Sequence, residues 1–225
     1  MFAMMNHART DVALQGVAHA ARAYDIAASY AAERQQGRSP EGVPVTIDQH
    51  ADVRRMIDEI DRLALGARAI AHLACVTMER GDNSALVEFL TPLAKVYCTE
   101  AGMRAAELGM QVLGGYGYLR EYRIEQTYRD ARITAIYEGT NGIHARMMAT
   151  RLAGSAAGDA SVSYLQKEAS RLSSEKAVML LERWQTTRER VLNAKDPSVL
   201  AEDFLQASIK ALLACVWAKI GRAHA

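Results

Sequence analysis

Apolar residues recur along most of this chain at three- and four-residue spacing, the period of a helix with one buried face. Over residues 4–34 the stripe is made of small side chains: Ala13, Leu14, Val17, Ala20, Ala21, Tyr24, Ala27, Ala28 and Ala31. Gly37 and the run Ser39-Pro40-Glu41-Gly42-Val43-Pro44 break this helix and predict a loop. A second helix is predicted over 48–80, with Val53, Ile57, Ile60, Ala64, Ala67, Ala71, Ala74 and Met78 on one face. Asp48 is placed as its N-cap and Gly81 as its stop. A third starts near Ser84 and uses Leu86, Leu90, Leu93, Tyr97, Ala101, Ala105 and Leu108. Pro92 inside it predicts a kink or short break near Leu90. Gly109, Gly114, Gly115 and Gly117 predict unwinding.

A short helix is predicted over 121–132, then the turn-like Glu138-Gly139-Thr140-Asn141-Gly142 and a helix over 143–152. The run from Gly154 to Gly158 reads as a linker. It divides the chain into a domain over 1–153 and a helical extension over 159–225. The extension carries amphipathic patterns at 174–193 and 197–219, separated by Asp196-Pro197. No strand pair is predicted. Long helices with short connections are antiparallel neighbours, so the expected fold is all-α: an antiparallel four-helix bundle plus extra C-terminal helices. Gly16, Gly66 and Gly102 each weaken a helix by about 1 kcal/mol relative to alanine. They predict close helix contacts or functional approach, and Gly16 and Gly66, with the small residues of the long helices, are expected to leave room for the helices of a second copy.

Composition changes this picture little. Half of the residues are hydrophobic but only 6% are aromatic, and alanine and methionine favour packed helices. A net charge of +1 gives no overall electrostatic footprint for nucleic acid or an anionic membrane. No apolar run approaches the roughly 18–20 residues needed to cross a bilayer. Cys75, Cys98 and Cys215 are widely spaced within apolar runs, which predicts reduced, buried thiols in a cytoplasmic protein. His7, His19, His50, His72, His144 and His224 form no metal-binding pair, so no metal is expected and the histidines are read as surface or half-buried. Trp184 and Trp217 are expected to anchor the extension. Met1 to Arg9 lacks the basic region and cleavage pattern of a signal peptide. Opening directly on a helical pattern, the chain is expected to begin inside a larger protein.

Two segments are not explained by helix packing. In Gln111-Val112-Leu113-Gly114-Gly115-Tyr116-Gly117, a glycine pair lets backbone N–H groups approach an anion such as a pyrophosphate. It fits a glycine-rich helix stop equally well. In Tyr137-Glu138-Gly139-Thr140, a carboxylate on a tight turn beside apolar surface can be desolvated enough to act as a base. A helix-capping acid is the alternative.

Together, and with the intervening Arg129-Asp130-Ala131-Arg132-Ile133, these segments resemble the acyl-CoA dehydrogenase family. The C-terminal helical domain of that family carries Gln-x-x-Gly-Gly-x-Gly, an Arg-Asp-x-x-Ile helix and then Tyr-Glu-Gly-Thr, in this order. The resemblance covers residues 4–152 and includes Tyr30-Ala31-Ala32-Glu33-Arg34, similar to the family's Tyr-Ala-x-x-Arg. It implies FAD as cofactor and an acyl-CoA as substrate. Glu138 would remove the pro-R α-proton while the β-hydride passes to the flavin, and its backbone N–H would polarise the thioester carbonyl. Arg9, Tyr137 and Gly139 would border the acyl-CoA. Gln111, Gly114, Gly115 and Arg34 would contact the adenine and pyrophosphate side of FAD. Thr140, Asn141 and Gly142 would approach the cofactor at a helix start.

Arg34-Gln35-Gln36-Gly37 lacks the phenylalanine of the family's Arg-x-x-Phe-Gly and is one residue short, and the next loop carries extra residues over 39–46. Both features resemble the larger bacterial members that act on methylthiopropanoyl-CoA and related acyl-CoAs. The family often has glutamine where His144 stands. It also has an N-terminal helical domain and a middle β-domain that are absent here. The resemblance implies a homodimer or tetramer and an electron-transfer acceptor; the absent domains leave this chain inactive alone and make an N-terminal flavin-domain partner one candidate for supplying them. The competing reading is a non-catalytic helical assembly or binding module derived from the same fold.

Overall fold

A computed structural model of the chain describes residues 2–172 and 175–223. Ser174, where one predicted helix begins, and His224 lie outside the described residues. The elements are α1 (Phe2–Glu33), β1 (Gln35–Arg38), β2 (Pro44–Thr46), α2 (Ala51–Arg80), α3 (Ser84–Leu113), α4 (Ile124–Thr134) and α5 (Asn141–Met147). A π-helical turn, Met148–Leu152, prolongs α5, and the chain ends on α6 (Ala156–Leu172), α7 (Glu175–Asn193) and α8 (Ala201–Ala223). The fold is all-α apart from the small β1–β2 pair, a helical bundle with extra C-terminal helices.

Several local expectations are corrected. The break after α1 is an antiparallel hairpin, with Gln35 opposite Thr46 and Arg38 opposite Pro44. Its first strand is exposed throughout, so it has no alternating pattern by which a strand could be read. Pro92 does not interrupt α3. The carbonyl that loses its partner belongs to Glu88, an exposed residue. Gly109 stays inside α3, and α2 begins at Ala51 rather than at Asp48. Helix α6 starts within the segment read as a linker and runs on to Leu172, so among the described residues the part beyond residue 153 holds three α-helices rather than two.

The long helices contribute to two compact units. One, the hairpin unit, comprises Leu14–Arg68 and Cys98–Ala135; the other, the turn unit, comprises Met1–Ala13, Ala69–Tyr97 and Ile136–Ala225. In the hairpin unit Ala20, Ala23, Ala27 and Ala31 of α1 share a core with Met56 and Ile60 of α2, Ala105 and Leu108 of α3, and Ile124 of α4. Such small side chains fill a core only if the backbones come close. A Cβ on Gly16 would stand 2.3 Å from the carbonyl oxygen of Cys98, and one on Gly102 would stand 2.8 Å from that of Gly16. Gly16 therefore serves α1–α3 packing within the chain, a correction to its expected role in receiving a second copy.

In the turn unit the indole of Trp184 is fully buried and donates from Nε1 to Ser208 Oγ at 2.8 Å. Its ring stacks on Phe204 and meets Phe89 of α3 edge-on. Arg188 donates from Nε to the carbonyl of Ala153 at 2.7 Å and from Nη2 to Asp159 at 2.6 Å. Trp217 is half-buried.

The contact at Gly16 is with main chain, which cannot swing aside. Gly16→Ala is expected to cost about 1–3 kcal/mol and to lower the thermal midpoint by several degrees, measured by circular dichroism. Gly221→Ala, facing open space, is the control and is expected to leave the midpoint unchanged or higher.

Candidate active site

The turn between α4 and α5 carries Glu138. Its φ is 52°, and Gly139 comes next at 88°. Two successive left-handed residues reverse the chain so that the carbonyls of both turn toward buried donors. His144, on the first turns of α5 and 1% exposed, places Nε2 3.0 Å from the carbonyl oxygen of Glu138. A carbonyl only accepts, so Nε2 carries the proton and Nδ1 is the bare nitrogen. Nδ1 is accordingly buried with no hydrogen-bond partner among the described residues. Burial, and then the positive charges of Arg9 and Lys95, hold the imidazole pKa down to about 4, against the raising effect of its bonds to the Glu138 and Gly139 backbone. This corrects the reading of His144 as a surface or half-buried histidine.

Lys95 of α3 is 0% exposed. Its Nζ donates to the carbonyl of Gly139 and to Oδ1 of Asn141, both at 2.9 Å. Thr140 is the N-cap of α5, its hydroxyl oxygen accepting from the N–H of Ile143 at 3.3 Å. Only glycine fits at 139: besides the positive φ, a Cβ there would lie 3.0 Å from His144 Nε2. The Glu138 carboxyl-bearing side chain is exposed rather than desolvated. Arg9 of α1 lies close enough for Glu138 to raise its pKa, although burial of the guanidinium has the larger, lowering effect. Arg9 Nε is buried without a hydrogen-bond partner among the described residues. Tyr137 and Gly142 flank the turn at the surface.

The hairpin unit holds an open groove of about 720 Å³. Arg34, just past α1, lies 5.5 Å above the centre of the Tyr116 ring. Tyr116 packs in turn against Tyr30 and Tyr122, with ring centres 6.2 and 5.3 Å away. Gly114, at φ 60°, and Gly115 face open space on the groove wall, and Ile47, Val53, Val112 and Leu113 supply apolar lining. His50 bonds through Nε2 to the carbonyl of Gln36 at 2.7 Å and sits against Gly37, tying the hairpin to the start of α2.

The residues singled out in the sequence thus fall into two sets. Arg34, Gln111, Gly114 and Gly115 line the groove. Arg9, Glu138, Gly139, Thr140 and Asn141 gather at the turn, with Tyr137 and Gly142 beside it. Sequence reading missed Lys95, His50 and the tyrosines Tyr116 and Tyr122. A lysine inside the apolar run Leu93-Ala94-Lys95-Val96 is the one visible signal among these. Cys98 and Cys215 are buried and Cys75 is half-buried, all as free thiols. Among the described residues no group of three or more His, Cys, Asp or Glu side chains is placed to hold a metal. No helix among them is long and apolar enough to cross a membrane.

Residues 1–153 match the family described as acyl-CoA dehydrogenase, C-terminal domain. The chain is 44% identical over 157 residues to the 3-methylmercaptopropionyl-CoA dehydrogenase of Ruegeria pomeroyi, covering 64% of this chain and 27% of that protein. Among solved structures, the apo form of Bd2924 superimposes with a TM-score of 0.81 at 19% identity, over 95% of this chain and 41% of the other. An acyl-CoA dehydrogenase complexed with FAD from Bacillus anthracis gives 0.70 at 21% identity, over 99% of this chain and 42% of the other. These two likenesses are of fold, and they include the helices beyond residue 153. The chain spans less than half the length of each of these proteins.

The low pKa of His144 links protonation to stability. Its folded value of about 4 lies below the ordinary value of 6.5, so the unfolded chain binds the proton more tightly. As pH falls from 6.5 toward 4, stability is lost at up to about 1.4 kcal/mol per pH unit. His144→Gln keeps a donor for the Glu138 carbonyl and removes the titration. Urea denaturation at pH 7 and 4.5 is expected to show a smaller loss for this variant than for the parent; equal losses would refute the assignment.

Proposed function

The chain belongs to the acyl-CoA dehydrogenase family, and from that premise we propose that it is the helical, base-bearing part of an enzyme that dehydrogenates an acyl-CoA thioester between its α and β carbons. The observation that carries this reading is the turn itself. A non-glycine residue held at φ 52° by donors from the protein interior presents its carboxylate at the surface, beside a partly buried guanidinium. Strain of this kind costs of order 1–3 kcal/mol and persists where the surroundings over-determine it, often at functional sites.

In this reading Glu138 accepts the α-proton. Its backbone N–H is assigned to the thioester carbonyl, where negative charge develops as the proton leaves. Arg9, Tyr137 and Gly139 border the acyl-CoA. The groove fits the phosphate and adenine end of FAD: Arg34 supplies the positive charge, Gly114 and Gly115 supply backbone open to close approach, and Gln111 supplies an amide on the wall. Thr140, Asn141 and Gly142 are assigned to the cofactor as well. Bound FAD would supply the hydride acceptor. The likeness to the Ruegeria pomeroyi enzyme favours a methylthiopropanoyl-type acyl-CoA. A cytoplasmic homodimer or tetramer, an N-terminal flavin-domain partner and an electron-transfer acceptor complete the reading, with residues 1–153 as the family domain and 159–225 as its extension.

In a flavin-loaded enzyme containing this chain, Glu138→Gln is expected to slow acyl-CoA-driven flavin reduction by at least about a hundredfold while sparing flavin binding. Stopped-flow absorbance checks it, and a near-parental rate would show that another group is the base. The open groove leads to a second expectation. This chain alone should stay colourless after incubation with FAD and dialysis, because the isoalloxazine ring loses its apolar cover. At about 25 cal/mol per Å², ~150 Å² of missing ring contact weakens binding by nearly a thousandfold. A yellow protein bleached by an acyl-CoA would show a complete site.

A further inference from the structure

Lys95 is a lysine inside an apolar stretch of α3 and is 0% exposed. Burying an ammonium is costly unless its donors are used, so its partners indicate its purpose. Two of them lie 44 and 46 residues further along the chain: the carbonyl of Gly139 and Oδ1 of Asn141. These two residues flank Thr140, the N-cap of α5, and come directly after Glu138. The carbonyl of Glu138 is itself met by His144 Nε2. Two consecutive carbonyls of the turn are therefore each held by a donor from the interior, one from α5 and one from α3.

We propose that Lys95 is a positioning residue for the base: by clamping the Gly139 carbonyl and the Asn141 side chain, it sets where the Glu138 carboxylate stands relative to the α-carbon. The proposal rests on the reading of Glu138 as the base. Lys95 acts through the turn and does not touch the substrate. Proton removal from carbon requires reacting atoms within about 3–3.5 Å, and an exposed turn without internal constraint samples many geometries. A hydrogen bond from a charged donor is roughly twice as strong as a neutral one. A lysine stem also gives α3, an element of many turns, direct reach to the turn before α5.

Lys95→Met keeps the apolar stem and removes the donors. In this chain, amide hydrogen exchange followed by NMR is expected to quicken about tenfold over residues 138–144, with parental circular dichroism and parental exchange in α2. Parental exchange over the turn in a folded variant overturns the proposal. Should Lys95→Met fail to fold, Asn141→Ala removes one acceptor while leaving the lysine in place, and it carries the same expectation and the same overturning result. In the flavin-loaded enzyme, Lys95→Met is expected to slow acyl-CoA-driven flavin reduction about tenfold or more while the acyl-CoA dissociation constant changes less than about twofold, a split that general loosening of the site does not produce. Parental flavin reduction in Lys95→Met, beside an impaired Glu138→Gln, sinks this proposal alone. Parental reduction in Glu138→Gln sinks the base reading and this proposal with it.

Discussion

A carbonyl that leaves a helix and turns inward must find a donor, because an unpaired buried acceptor costs about 1–3 kcal/mol. The turn before α5 presents two such carbonyls in succession. His144 meets the first and Lys95 the second, and the rest of the local design depends on these two bonds. Residue 139 must be glycine, since a side chain there would press on the ring that holds residue 138. The ring must be neutral, which burial and the nearby charges of Arg9 and Lys95 secure, and its proton sits on Nε2, facing the Glu138 carbonyl. Thr140 caps the helix from which the ring projects. Each part limits the others, so a carboxylate can occupy a left-handed position that an unsupported glutamate would rarely adopt.

In the hairpin unit the governing constraint is distance between backbones. Gly16 and Gly102 let α1 and α3 approach until main-chain atoms touch, and the alanines of α1 then suffice as core residues. The same economy of side-chain volume leaves the larger residues for the groove, where Tyr30, Tyr116 and Tyr122 pack on one another and Arg34 covers Tyr116. In the turn unit large aromatics perform the packing instead. Trp184, Phe204 and Phe89 join α7 and α8 to the first part of α3, and Arg188 spans the end of the π-helical turn and the start of α6.

Much of this was legible in the sequence where the cause is local. The 3.6-residue stripes mark the long helices because each depends on one face being buried. Gln111-to-Gly117 and Tyr137-to-Thr140 stand out because helices do not require glycines and acids in that order. Residues 1–153 matching the C-terminal domain of the acyl-CoA dehydrogenases agrees with the resemblance those segments carry. The helix boundaries near Gly81 and Ser84 arise from a residue that terminates a helix and one that begins the next.

The features that only the tertiary structure decided are those whose causes lie far away in the chain. An exposed strand such as Gln35–Arg38 has no pattern of its own and forms because its backbone finds β2 and its Gln36 carbonyl finds His50. Pro92 stays inside α3 because the carbonyl it deprives is on an exposed residue, a fact of burial rather than of residue type. His144 has the spacing of any helical histidine, yet its neutrality depends first on its burial and then on charges brought in by α1 and α3. Lys95 reads as an interruption of an apolar run until the chain returns 44 residues later to place a carbonyl against it. Periodicity reports which face of a helix is covered; it carries no information about which atom covers it, and the chemistry of the Glu138 turn is settled by those atoms.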